Sequence, residues 1–152
     1  MAYKKGDMDG AVKFFDEALT LETDNAKKAD IAYKAAAVLA SAKKISQARS
    51  YAQKAISFNE NFGAPYILIA QLYAGNPKWT DEAVLNKCTF FAAIDKLQRA
   101  KAVDPSVAEE ANKLIGQYSA YTPEAKDLFM LGYKAGDRIT IGGWIGETTT
   151  IR

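Results

Sequence analysis

Few residues in this chain are of a type and spacing that could do chemistry. Cys88 follows Lys87, and a neighbouring cation can lower a thiol's pKa toward a reactive thiolate. Asp81/Glu82 and Glu109/Glu110 are acidic pairs, the residue type used for general acid–base work or for holding a cation. Gly142-Gly143-Trp144-Ile145-Gly146 is rich enough in glycine to suggest a phosphate loop. None of the three completes a site. The chain contains no histidine, which removes Ser-His-Asp and Cys-His catalysis, histidine metal sites and the usual general base. Adjacent residues on a helix point about 100° apart, so neither acidic pair converges on one substrate. Capping and solvation are the plainer roles for both pairs. The glycine run lacks a Lys-Ser/Thr ending and a following helix to present N–H groups, so a β-turn is expected there. The chain therefore reads as a non-enzyme, with no catalytic residue, no metal ligand set and no cofactor.

Bulk properties narrow the partners. A net charge of +2 over 152 residues is too small to suggest nucleic acid. The basic residues also alternate with acidic ones (Lys27, Lys28, Asp30; Asp95, Lys96, Arg99), as on solvated helix faces. No apolar run approaches the ~18 residues of a membrane span, so membrane insertion is not expected. Met1-Ala2-Tyr3-Lys4-Lys5 runs straight into Gly6-Asp7 and a helical pattern, so no secretory leader is expected at this start. A single cysteine excludes an internal disulfide.

The elements that position these residues form a helical repeat. Ala11/Phe15/Ala18, Ala48/Ala52/Ala55 and Ala93/Leu97/Ala100 share spacings of four and then three residues. Each triplet thus makes a small, apolar stripe that can press against a neighbouring helix. Helices are expected over 25–42, 46–58 and 64–75, the last with Pro65 in its first turn, where a missing N–H costs nothing. Ala32, Ala35, Ala36 and Leu39 match Tyr66, Ile69, Ala70 and Tyr73 at a constant offset of 34. The triplets are offset by 37 and then 45, which places added residues at 78–88. Thr80 reads as an N-cap with Asp81 and Glu82 in the first turn, predicting one long helix over 81–103. Further helices are expected over 105–119 and from 122 to about 132. From Gly132 onward the sequence turns glycine-rich and β-prone. Residues 138–141 and 148–151 predict a small hairpin around a Gly142-Gly143 turn, with Trp144 and Ile145 packed back on the last helices. The domain reading is 1–121 for the helical repeats and 122–152 for a capping helix and β tail.

On these residues the chain resembles the tetratricopeptide family. The stretch Gly6-Asp7-Met8-Asp9-Gly10-Ala11-Val12-Lys13-Phe14-Phe15-Asp16-Glu17-Ala18-Leu19 is similar to the second half of that motif. Ala100-Lys101-Ala102-Val103-Asp104-Pro105 is similar to its ending, and the resemblance covers about residues 1–120. It implies an all-α, right-handed superhelical stack of antiparallel helix pairs. The segments Ala93-Ile94-Asp95-Lys96-Leu97, Glu110-Ala111-Asn112-Lys113-Leu114-Ile115 and 142–152 resemble the closing block of uncharacterised bacterial tetratricopeptide proteins. Those proteins are longer and exported, which implies the periplasm, with the cytoplasm as the alternative.

By the same resemblance, the concave face lined by first helices would hold a protein or peptide segment. That face would carry Tyr33, Lys34, Ala37 and Ala40, then Ile67, Leu68 and Gln71, then Asn112 and Lys113. The carboxylate clamp of the chaperone-binding members is missing, because Tyr33, Ala37 and Leu68 stand in its places. The first repeat lacks its first helix, of which only Ala2-Tyr3-Lys4-Lys5 remains. Either the chain is a piece of a longer protein, or another chain covers Ala11/Phe15/Ala18 by self-association. The expected function is protein–protein interaction on the concave face or the tail. The alternative is a purely structural cap with no ligand of its own.

Overall fold

Alanine stripes are buried where the helices of this protein pack together. The computed structural model describes residues 8–152. The sequence readings that fall on Ala2-Tyr3-Lys4-Lys5 and Gly6-Asp7 lie outside the described residues. Helix α1 spans Met8–Leu21, α2 Asn25–Ser41, α3 Ile45–Phe58 and α4 Ala64–Gly75. All three members of the second and third triplets are fully buried, as are Ala32, Ala35, Ala36 and Leu39. Tyr66, Ile69, Ala70 and Tyr73, at the offset of 34, are buried as well. The repeat seen in the sequence is therefore also a repeat of burial. Neighbouring helices pack in chain order, α1 on α2, α2 on α3 and α3 on α4, with α2 also touching α4.

Local chemistry starts and stops each helix. Asp24 caps α2, its side chain accepting from the N–H groups of Ala26 at 2.8 Å and Lys27 at 3.2 Å. The chain turns into α3 through Lys43, whose φ of 61° is left-handed, while the Lys44 N–H donates to the Leu39 carbonyl at 2.9 Å. Gly63 precedes α4, where a Cβ would lie 2.5 Å from Val107 Cγ2. Its N–H donates to Asp104 Oδ2 at 2.9 Å, joining the start of α4 to the turn that follows the sixth helix. That bond, after the one from the Ser106 hydroxyl, holds the Asp104 carboxyl below its ordinary pKa.

The long helix expected over 81–103 is broken. Instead α5 covers Ala83–Lys87 and α6 covers Thr89–Val103. The Asn86 side chain holds the segment before α5 out of the helix. Its Oδ1 accepts from the N–H groups of Trp79 and Thr80 at 2.9 and 3.0 Å, and its Nδ2 donates to the Thr80 carbonyl at 2.9 Å. Thr80 is thereby held in a loop, and Glu82 caps α5 in its place. At the junction the Cys88 N–H donates to the Leu85 carbonyl, a tighter 3-10 pattern. Helix α6 packs on α4, and a 3-10 turn over Pro105–Val107 leads into α7, Ala108–Ser119, which packs on α6. The last helix, α8, is short, Ala125–Met130.

Strands β1, Arg138–Thr140, and β2, Thr148–Thr150, pair antiparallel with Ile139 opposite Thr149. The Gly142-Gly143 turn is a wider connection over 141–147, closed by the Ile141 N–H on the Glu147 carbonyl at 2.8 Å. Gly142 is needed for close approach rather than for a tight turn: a Cβ there would stand 2.8 Å from Cε3 of Trp79. A two-stranded hairpin is marginal alone. This one is anchored by Ile139, Ile141, Ile145 and Ile151, all buried in the main core.

Candidate interaction surfaces

Helices α2, α4 and α7 carry the residues expected to line a groove. Tyr33 on α2 is half-buried and meets Phe62 edge-to-face, with ring centroids 5.3 Å apart. Burial, and then the charge of Glu110 on α7, push the Tyr33 hydroxyl pKa up. Lys34 is exposed and pairs with Asp30 at 3.0 Å, and Ala37 and Ala40 are half-buried. Gln71 and Lys113 are exposed; Asn112 is also exposed but turns toward α6, accepting from Lys101 Nζ at 2.8 Å. Ile67 and Leu68 are only 4% and 8% exposed and belong to the core. They support this face from beneath, because α4 is apolar nearly all round. The exposed members of the set are Lys34, Gln71, Asn112 and Lys113, with Tyr33 half-buried.

The expected exposed edge is also internal. Ala11 and Phe15 are buried and Ala18 is half-buried, because α2 packs on α1 and the core takes in the stripe. Asp16 accepts a 2.5 Å hydrogen bond from the Tyr51 hydroxyl, which ties α1 to α3. The apolar residues that α1 leaves in solvent are Phe14 and Leu21.

A polar junction under the tail was not foreseen. Arg49 donates to the carbonyl oxygens of Trp144 at 2.5 Å and Ile145 at 2.7 Å, and to the Tyr73 hydroxyl at 3.2 Å. Its guanidinium also lies over the Trp144 ring, 5.0 Å from the centroid, and Trp144 stands edge-on to Tyr73. The Tyr73 hydroxyl donates to Glu147, which pairs with Lys96 at 2.7 Å. Burial, then the bond to Glu147, push the Tyr73 hydroxyl far above its ordinary pKa. A second anchor uses Asp95, which accepts from the Thr149 hydroxyl at 2.6 Å and pairs with Arg152. The loop is thus bound to α3, α4 and α6 at once. The available signal was Arg49 itself, the first of only four arginines, directly beside an alanine stripe.

The groups singled out for chemistry lie apart. Cys88 is fully buried, and burial pushes its thiol up to about 11. Asp81 and Glu82 are exposed beside α5, and Glu109 and Glu110 lie in the first turn of α7, where they suit the helix dipole. Among the described residues no group of His, Cys, Asp and Glu could hold a metal ion. No buried side-chain N or O atom among them lacks a hydrogen-bond partner. No helix described is long and apolar enough to cross a membrane. The chain matches no protein-family model and no curated protein.

Proposed function

We propose that this chain is a tetratricopeptide-like protein-interaction module whose α2–α4–α7 face receives a partner segment. One observation carries the reading. The tail takes its polar anchors from α3, α6 and the end of α4, and Lys34, Gln71 and Lys113 stay exposed, with Tyr33 half-buried against Phe62. A preformed face of this kind binds without first having to be ordered. The periplasmic location implied by the C-terminal resemblance belongs to the same proposal, with the cytoplasm as its alternative.

A peptide library selected on the immobilised chain tests it. Enriched peptides should lose about tenfold or more in affinity, about 1.4 kcal/mol, with Tyr33→Ala or Gln71→Arg, and none with Arg99→Ala. Peptides indifferent to the first two substitutions, or no enrichment at all, would defeat the reading. Ile67→Ala is unsuitable as a binding test, because emptying a buried position costs about 2–5 kcal/mol of stability.

The anchors under the tail favour a second reading, a closing cap for a longer helical array with no ligand of its own. On that reading, removing residues 137–152 lowers stability strongly and no substitution on the groove face changes any binding.

A further inference from the structure

The large apolar side chains left in solvent are not scattered. Among the described residues they are Phe14 and Leu21 on α1, Phe129, Met130 and Leu131 on and just after α8, and Tyr121, which follows α7 and stacks on Phe90 of α6. None lies on α2 to α7. Leu21, Phe129 and Met130 are 83%, 74% and 84% exposed. Clustered apolar exposure of this kind marks contact surfaces. Leu21 lines a cleft of about 570 Å³ along α1, and Phe129 and Met130 line one of about 470 Å³ between α8 and the end of β2. The clefts differ in sign. The one on α1 is lined by Asp9, Asp16 and Glu17 against a single Lys13, together with Val12 and Leu21. Every charged side chain lining the one at α8 is basic: Lys126, Lys134 and Arg152.

We infer that the two faces are complementary halves of one interface, so that α1 of one copy seats in the α8 cleft of a second copy. Opposite charge rims around apolar centres fix the orientation. Asp95 and Glu124 share part of the charge of Arg152 and Lys126, and Tyr51 occupies one oxygen of Asp16. The apolar residues therefore carry the affinity and the charges carry the pairing. An interface that joins two different faces leaves a free face at each end, so the assembly extends head to tail instead of stopping at a dimer. None of Tyr33, Lys34, Gln71 and Lys113 lines either cleft, so this contact is independent of the groove.

Sedimentation velocity on the full chain over a concentration series tests it. The mean mass should rise past that of a dimer with concentration and fall as salt is added. Leu21→Glu and Phe129→Glu should each weaken self-association by roughly tenfold or more, since each puts a carboxylate into an apolar contact. Both positions are exposed, so the melting temperature should stay within the normal range of surface changes. Mixed in equal amounts, the two variants should form one capped heterodimer, because each keeps the face the other has lost. A parent chain that stays monomeric throughout overturns the inference. So does assembly that Phe129→Glu leaves intact, or a mixture of the variants that does not pair.

Discussion

The Arg49 guanidinium lies over the Trp144 ring, 5.0 Å from its centroid, and donates to the same residue's carbonyl oxygen at 2.5 Å. Arg49→Met keeps the stem but removes the donors, leaving part-buried carbonyls without them. Hydrogen bonds to a charged group contribute about 1.5–3 kcal/mol, so a loss of about 2–3 kcal/mol is expected by denaturant titration. Trp144 emission should shift to the red as its ring meets water. Unchanged stability would mean that apolar packing alone holds the tail.

Tyr51 gives a pH signature. Burial, the hydrogen bond to Asp16 and then the charge of Asp16 push its hydroxyl up to about 12. An unfolded tyrosine titrates near 10, so the folded state holds this proton more tightly. The stabilisation is complete below about pH 10 and is lost as pH rises toward 12. The stability gap between the parent chain and Tyr51→Phe should be flat at neutral pH and shrink over that interval. A gap that does not change with pH would contradict the assignment.

Cys88 should be unreactive in the folded state. Its thiol is fully buried and titrates near 11, so thiolate is scarce at neutral pH and reagents lack access. Alkylation should follow global unfolding, with a rate that rises with denaturant as the unfolded fraction does. Fast labelling in native buffer would show that the junction of α5 and α6 opens locally.

Two backbone positions should respond in opposite directions. At Gly63 an added Cβ would stand 2.5 Å from Val107 and 2.8 Å from Cβ of Asp104, and the Asp104 bond to its N–H holds both sides in place. Gly63→Ala is expected to cost about 1–3 kcal/mol through overpacking. Lys43 holds a left-handed φ of 61° with a side chain that opposes it. Lys43→Gly should add up to about 1 kcal/mol. Thermal denaturation of both variants checks the pair, and Lys43→Gly melting below the parent would refute the left-handed turn.

The helical part was legible because alanine spacing on a helix has one reading. Ala48/Ala52/Ala55 and Ala93/Leu97/Ala100 could only be a stripe, and an offset of 34 between Leu39 and Tyr73 fixed which helices correspond. The late start of α5 is not legible, because it depends on Asn86 bonding backwards to Trp79 and Thr80, and a loop-forming asparagine looks like any polar helix residue. Ala11 and Phe15 were expected to need a helix on the N-terminal side, yet burial against the following helices covers them. Ile67 and Leu68 belong to an open face in the tetratricopeptide resemblance, but a helix as apolar as α4 buries residues on every side. The tail anchors were out of reach of spacing arguments, since Arg49 and Trp144 are 95 positions apart.

That separation also sets an order of events. The alanine-lined pairs form from contacts close in the chain, which close early. Arg49 is synthesised 95 residues before Trp144, and domains begin to fold from the N-terminal side during synthesis. Until residues 144–147 are made, Arg49 lacks the carbonyl oxygens and the indole that it meets in the fold. The arrival of the glycine-rich segment is thereby registered at a residue made long before it.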